Sequence, residues 1–365
     1  MSATRANLDL DDSDGLIGAD REGLLHAASM SGAQVRATAA AVEEGALDSV
    51  RTGQRPRSVI WVAGRGTAEA AGAILSAVLS SSAAEPIVVA SEVPPWIGPL
   101  DVLVVAGDDP ADPILVGAAA TGVRRGARVV VAAPYVGPLR DATAGRVTVL
   151  EPRLWVHDEF GLCRFLAVGL AALQAVETGA AGLQTDLAVL ADELDAEALR
   201  NSAAREVFTN AAKSLALRMV GRSVVLTGDN TATLALARHL STVLLRVGHL
   251  AAAGVGLADA VVALRGGMGA ESGSTASNFD SLFHDEELDG PVPERPRVLA
   301  LTLAAERPVV LARLAGVGEV DVVGTEDIPD GAGLAPADAG RPEQQLAVLA
   351  VRLEMAAVYM RLARG

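Results

Sequence analysis

One strand–turn–helix figure occurs twice in this 365-residue chain, and that repetition restricts its possible folds more than any other feature. The first copy reads Arg57-Ser58-Val59-Ile60-Trp61-Val62-Ala63-Gly64-Arg65-Gly66-Thr67-Ala68 and runs on as an Ala-rich helical pattern. The second reads Arg222-Ser223-Val224-Val225-Leu226-Thr227-Gly228-Asp229-Asn230-Thr231-Ala232. Both open with Arg-Ser-Val, turn at glycine and enter the helix through Thr-Ala. A short apolar strand, a Gly turn and a helix open a parallel α/β unit, so one module is expected twice.

Taken in order, strands are expected over 58–63, 86–90, 101–106 and 128–133, then from 223, over 259–264, 297–303 and 319–323. Helices are expected over 24–50, 68–79, 111–124, 160–175, 187–199, 203–220, 235–247, 308–314 and from 343 to the end. This alternation favours parallel sheets with right-handed crossovers. It divides the chain into a tail over 1–20, a first domain with its linker helix over 21–180, and a second domain with a C-terminal helix over 181–365. Residues 178–182 are small and Gly-rich, as a hinge would be. Residues 266–281 read as a Gly/Ser loop and 327–342 as a Gly/Pro/Asp loop.

Composition narrows the function. Half of the residues are hydrophobic but only 3% are aromatic, so Ala, Val, Leu and Gly fill the core. The formal net charge of −15 argues against a nucleic-acid backbone or an anionic membrane as partner. No apolar run has the length of a membrane span, and the polar start is no signal peptide. With a single cysteine, Cys163, neither an intrachain disulfide nor a thiolate metal cage can form. A cytoplasmic location is therefore expected. No His-Glu-x-x-His, Walker or Gly-x-Gly-x-x-Gly pattern is present, so no metal is expected. Lys213, the sole lysine, reads as composition bias, and Cys163 as core.

The doubled module resembles the sugar isomerase (SIS) fold, and more closely the bifunctional phosphoglucose/phosphomannose isomerase family, of which this chain looks like a divergent member. The resemblance spans roughly residues 20–362. It rests on the turn Val62-Ala63-Gly64-Arg65-Gly66-Thr67, the Gly107 turn, Pro152-Arg153, Asn210-Ala211-Ala212-Lys213 and Phe283-His284-Asp285-Glu286-Glu287-Leu288-Asp289-Gly290. It implies an α/β protein of two SIS-type domains, each a parallel sheet flanked by helices. It also implies cofactor-free aldose–ketose isomerisation of hexose 6-phosphates. Family members are commonly dimeric; the apolar 160–175 helix would supply an interface, and burial within the monomer explains it equally well.

The departures fall on the chemistry. The family's hydroxyl-rich phosphate loop corresponds here to Val104-Val105-Ala106-Gly107-Asp108-Asp109-Pro110-Ala111-Asp112, without a hydroxyl. Its catalytic Glu falls at Leu244-Leu245, its His-Asn-Glu at Asp259-Ala260-Val261, and its terminal Lys is answered only by Arg361 and Arg364. Isomerase activity is therefore expected to be weak or altered. The other reading is a silent sugar-phosphate sensor or interaction partner in mannose metabolism.

The substrate-binding candidates are Gly64, Arg65, Gly66, Thr67, Gly107 and Arg153. The first four form a turn at a helix N-terminus, where backbone N–H groups collect anions; a plain turn with a surface Arg is the alternative. Arg153 is carried over from the resemblance. Asp108 and Asp109 read as caps of the following helix, or with Asp112 as a Mg²⁺ or sugar-hydroxyl site. The catalytic candidates are His249, with Glu271 as a conceivable partner, and His157. His239 reads as packing or surface.

Overall fold

A computed structural model describes residues 8–177, 185–266, 268, 296–317, 320–327 and 340–364. The first sheet contains β1 (Ser58–Ala63), β2 (Ile87–Ala90), β3 (Asp101–Ala106), β4 (Arg128–Ala132) and β5 (Thr148–Val149). All pair in parallel, in the order β2-β1-β3-β4-β5. The second contains β6 (Val224–Gly228), β7 (Ala252–Gly256), β8 (Arg297–Leu301) and β9 (Val320–Val323), parallel in the order β7-β6-β8-β9. Each sheet therefore reverses its strand order beside its first strand. This is the topological switch point at which doubly wound folds leave a crevice beyond the strand ends. The expected doubling of an α/β module is what the chain adopts.

The helices before the first sheet are α1 (Ser13–Ala19), α2 (Leu24–Ser29) and α3 (Ser31–Glu43). Leu10 and Leu16 are buried, so residues 8–20 pack onto the body. The expected 24–50 helix is broken: Glu44 caps α3, and Gly45 follows at φ 88°, a left-handed conformation in which a helix cannot continue. Around and after the first sheet come α4 (Thr67–Leu79), α5 (Pro113–Arg125), α6 (Gly137–Thr143) and α7 (Leu162–Val176). Leu162 to Leu173 of α7 are buried without interruption inside the monomer.

After α7 come α8 (Leu187–Arg200), α9 (Ala211–Met219), α10 (Thr231–Arg246), α11 (Leu257–Arg265), α12 (Arg307–Leu314) and α13 (Pro342–Arg364). Two expectations are corrected here. The 203–220 helix starts only at Ala211, where Asn210 caps by accepting from Lys213 N, 2.9 Å. The Lys213 ammonium, itself buried, donates to the carbonyls of Ala203 and Arg205 at 2.8 and 2.6 Å and fixes the preceding loop. The expected 259–264 strand is part of α11, and the strand is the preceding β7. Ala252-Ala253-Gly254-Val255-Gly256 lacks a β-branched pattern because α10 lies directly on it: a Cβ on Gly254 would stand 2.9 Å from Arg238 Cα. The 178–182 hinge, the 266–281 loop apart from Gly266 and Met268, the 283–290 segment and most of the 327–342 loop lie outside the described residues.

Both halves close on α13, whose residues from Glu343 to Met360 are buried. It packs against α2, α7, α8, α9, α10 and α4. Its polar side chains therefore need partners. Arg352, 1% exposed, donates through Nε to Glu197 Oε1 at 2.7 Å and through its two terminal nitrogens to the carbonyls of Gly324 and Thr325 at 2.8 and 3.1 Å. Burial works against the Glu197 charge, but Arg352 and then Arg200 outweigh it and hold the carboxyl below its usual range. Thr185 donates to Glu343 at 2.6 Å, and the Tyr359 hydroxyl donates to Asn201 O at 2.6 Å. Arg352→Met leaves Glu197 buried with Arg200 as its remaining cation. It should lower the free energy of unfolding by about 3–5 kcal/mol, measured by urea denaturation; a loss under about 1 kcal/mol would show the pair to be dispensable.

Candidate functional site

A cleft of about 390 Å³ lies between α4 and α10, the first helices of the two modules. Gly66, Thr67 and Glu69 face it from one side and Arg238, His239 and Arg246 from the other. The turn that opens it is built for close approach. Gly64 N–H donates to Ala106 O at 2.9 Å, drawing the end of β1 against β3. A Cβ on Gly64 would be 3.2 Å from Asp112 Oδ2. Gly66 has φ 94° and ψ −130°, which an L side chain rarely adopts, and it directs the chain into α4.

The two modules differ at this point. In the second, the end of α10 is closed by its own side chains. Asn230 accepts from Thr233 N at 2.8 Å in a capping box and donates to Glu306 at 2.6 Å, while Asp229 pairs with Arg313. In the first, α4 has no side-chain cap. Its first-turn N–H groups and the positive end of its dipole meet the cleft instead. Thr67 does not cap either: its hydroxyl donates to Asp158 O at 2.7 Å, tying the turn to the segment before α7.

Charge around the opening is mixed. Arg246 crosses from the second domain to Asp158 at 3.0 Å and Glu159 at 2.8 Å. Asp158 is pushed up by burial, but the bond from Arg246 contributes most to bringing it below its usual range. Asp108, after β3, pairs with Arg164. Burial, reinforced by nearby Asp158, outweighs Arg164 and leaves the Asp108 carboxyl above its usual range. Arg238 lines the cleft with an exposed side chain and no protein partner among the described residues.

At the cleft wall His239 is 6% exposed, and its Nε2 lies 3.2 Å from Oε1 of Glu354 on α13, itself 1% exposed. Burial raises the Glu354 carboxyl above its usual range, although His239 pulls it back. His239 also lines the cleft, and no partner of its Nδ1 is found among the described residues.

The expected site residues are placed as follows. Gly66 and Thr67 line the cleft, Gly64 lies behind them, and Arg65 is exposed beside them. Gly107 is buried in the turn after β3 and adjoins Gly64; a Cβ there would be 2.6 Å from Leu115. Arg153 is not in this cleft. It pairs with Glu44 and lines a much smaller space with Arg164 and Gln34. The cap of α5 is Asp112, which accepts from Ile114 N at 2.8 Å, and not the expected Asp108 or Asp109, because the helix begins at Pro113. His157 packs against Trp155, ring centroids 4.9 Å apart. His249 stands three residues beyond α10 with φ 50°, and no acid is bonded to it among the described residues. Its expected partner Glu271 lies outside those residues. His239, expected as packing or surface, and Glu354 were not singled out. The available signal was an imidazole in line with Ala232, Leu236 and Val243 on the buried face of α10.

No protein-family model matches the chain, and no curated protein does so in sequence. Solved structures do match in fold. Tagatose-6-phosphate ketose/aldose isomerase from Escherichia coli is 14% identical, with a TM-score of 0.63 over 94% of this chain and 92% of its own. A proposed phosphosugar isomerase from Clostridium difficile 630 is 12% identical, with a TM-score of 0.64 over 94% and 93%. The C-terminal domain of glucosamine-fructose-6-phosphate aminotransferase from Francisella tularensis is 11% identical, with a TM-score of 0.61 over 94% and 97%. The fold is thus the doubled SIS type. At these identities the likeness is one of fold.

Because Glu354 has a raised pKa in the folded protein, its protonated form contributes stability at low pH that is lost as pH rises through the raised value. Glu354→Gln cannot ionise. Thermal unfolding of both proteins at about pH 5 and about pH 8 should show the wild type losing ground to the variant at the higher pH; a gap independent of pH contradicts this.

Proposed function

We propose that the chain binds a sugar phosphate in the cleft between α4 and α10, with the phosphate on the uncapped start of α4. The single observation that carries this reading is the difference between the modules. The same turn is stoppered by Asn230 and Glu306 in one module and has no side-chain cap among the described residues in the other. Helix starts of this kind suit phosphate because donors converge on it and the dipole favours its charge. Arg238 supplies a cation with no partner among the described residues, on the opposite wall. Glu69 is an acceptor for sugar hydroxyls. The cleft volume suits a ligand of this size.

The cleft also explains how the loss of hydroxyls after β3 is tolerated. Asp108 occupies that position and is neutralised by Arg164, so the phosphate is moved to the β1 turn. Two acids beside that turn, Asp158 and Glu159, are both paired with Arg246, which lowers their repulsion of an anion. The neighbours named for phosphosugar chemistry share this fold and add support at that level only. A cytoplasmic setting and cofactor-free binding belong to the same reading.

Binding is tested by calorimetry and by the shift in melting temperature with glucose 6-phosphate and fructose 6-phosphate. The wild type should be stabilised by at least one of them, and glucose without phosphate should give no shift. Arg238→Ala should weaken binding about tenfold. Arg153→Ala should leave binding within about twofold. Loss through Arg153 with retention in Arg238→Ala moves the site to the 150–154 loop.

A further inference from the structure

A buried cation away from the α4–α10 cleft is incompletely partnered. Arg164, in the first turn of α7, is 7% exposed. Its Nη2 is spent on the Asp108 carboxylate. One face of the guanidinium lies over the Phe165 ring, with Cζ 3.9 Å from the ring centroid. That contact covers a face and satisfies none of the N–H groups in the plane. Nη1 is sealed from solvent and has no hydrogen-bond partner among the described residues. A buried donor on a charged group is costly to leave unfilled, so Nη1 calls for an acceptor.

Arg164 also borders a separate cavity of about 10 Å³ between α3, the loop 150–154 and the start of α7. Gln34, Thr38, Glu151 and Arg153 supply the rest of its polar wall, and Asp108 is not part of it. Two of these groups are already committed as donors: Gln34 Nε2 to Phe160 O at 3.0 Å and the Thr38 hydroxyl to Gln34 O at 3.1 Å. The volume admits one water-sized body and excludes a sugar phosphate. We infer that this cavity is a site for a single small monovalent anion, of chloride or bromide size, which accepts from Nη1 of Arg164. The site stands apart from the α4–α10 cleft and does not depend on the ligand proposed there.

Charge favours an anion there over a neutral water. Arg164 is the buried charge on the wall. Glu151 opposes an anion, but it is exposed, as are Arg153 and its partner Glu44, and solvent screens all three. Asp108 compensates Arg164 incompletely. Burial outweighs the pair on both sides, lowering the guanidinium and raising the carboxyl from their usual ranges. A second anion on Nη1 completes the compensation from the other end of the guanidinium. It also ties α7 to α3 and to the 150–154 loop, so its binding adds to the stability of the folded state.

The experiment follows the halide directly and through stability. In chloride NMR the wild-type protein should broaden the chloride resonance, and added bromide should reverse the broadening. Thermal unfolding in sodium chloride is compared with unfolding in sodium gluconate of equal ionic strength, since gluconate is too large for the cavity. With a dissociation constant of about 10 mM, about 100 mM chloride should raise the melting temperature by about 2 °C. The rise should saturate, which separates a site from general salt effects. Arg164→Met should abolish both the broadening and the chloride-dependent shift, whereas Arg153→Ala should leave the affinity within about threefold. Absence of either signal in the wild type overturns the inference and leaves a neutral water as the occupant. Signals undiminished in a folded Arg164→Met variant overturn it as well. If that variant does not fold, crystals of the wild type soaked in about 100 mM bromide decide. An anomalous peak within hydrogen-bond distance of Arg164 Nη1 supports the site, and no peak there overturns it.

Discussion

A guanidinium removed from water needs partners for every donor, and in this protein that requirement falls on Arg352 at the centre of α13. Its bonds to Glu197 and to two carbonyls of the turn after β9 join the last helix to α8 and to the edge of the second sheet. The helix cannot rotate or slide without leaving a buried charge exposed to apolar surroundings, which is far more costly than the loss of a surface pair. The same constraint fixes the rest of its face. Tyr359 reaches Asn201, Glu343 meets Thr185, and Glu354 is delivered to His239. The geometry of the cleft wall is therefore inherited from a core contact that lies outside the cleft.

That core supports two modules of shared topology and different chemistry. Both present a Gly turn and a helix start at the switch point. In the second module, side chains of its own complete the helix end, and the result is structural. In the first, no side chain among the described residues caps it, and the acids nearby pair with Arg246 of the second module instead. Arg246 in the last turn of α10 meets Asp158 and Glu159 near the start of α4, so the ends of the two helices compensate each other across the domain boundary. Duplication supplies two equivalent positions, and the loss of equivalence marks the one left available for a ligand.

Much of the fold was legible because it is encoded locally. Each β-branched run of a strand that carries ladder contacts on both sides, such as 58–63 and 101–106, is recognisable without any tertiary knowledge. β7 was not, because its glycines answer to α10 and not to strand propensity: Gly254 is small so that Arg238 can come close. The apolar run after it then looked like the missing strand, since a short run has no period that separates strand from helix. The site divides in the same way. Gly66 and Thr67 are visible as a motif, whereas His239 and Glu354 are separated by most of the second domain and become a pair only through the placement of α13. Lys213, read as chance, proves to brace a loop, a role that no spacing could reveal.

The position of α13 also bears on how the molecule assembles. Its faces are completed by α2, from the opposite end of the chain, as well as by the helices of both domains. Contacts between such distant segments demand the largest loop closures, so they form late and slowly. A nascent chain that already holds all five strands of the first sheet still lacks the helix that seals its helical layer. Until residues up to 364 are free to dock, that layer presents an open apolar seat, and the protein depends in this interval on rapid arrival of its final helix or on chaperone cover.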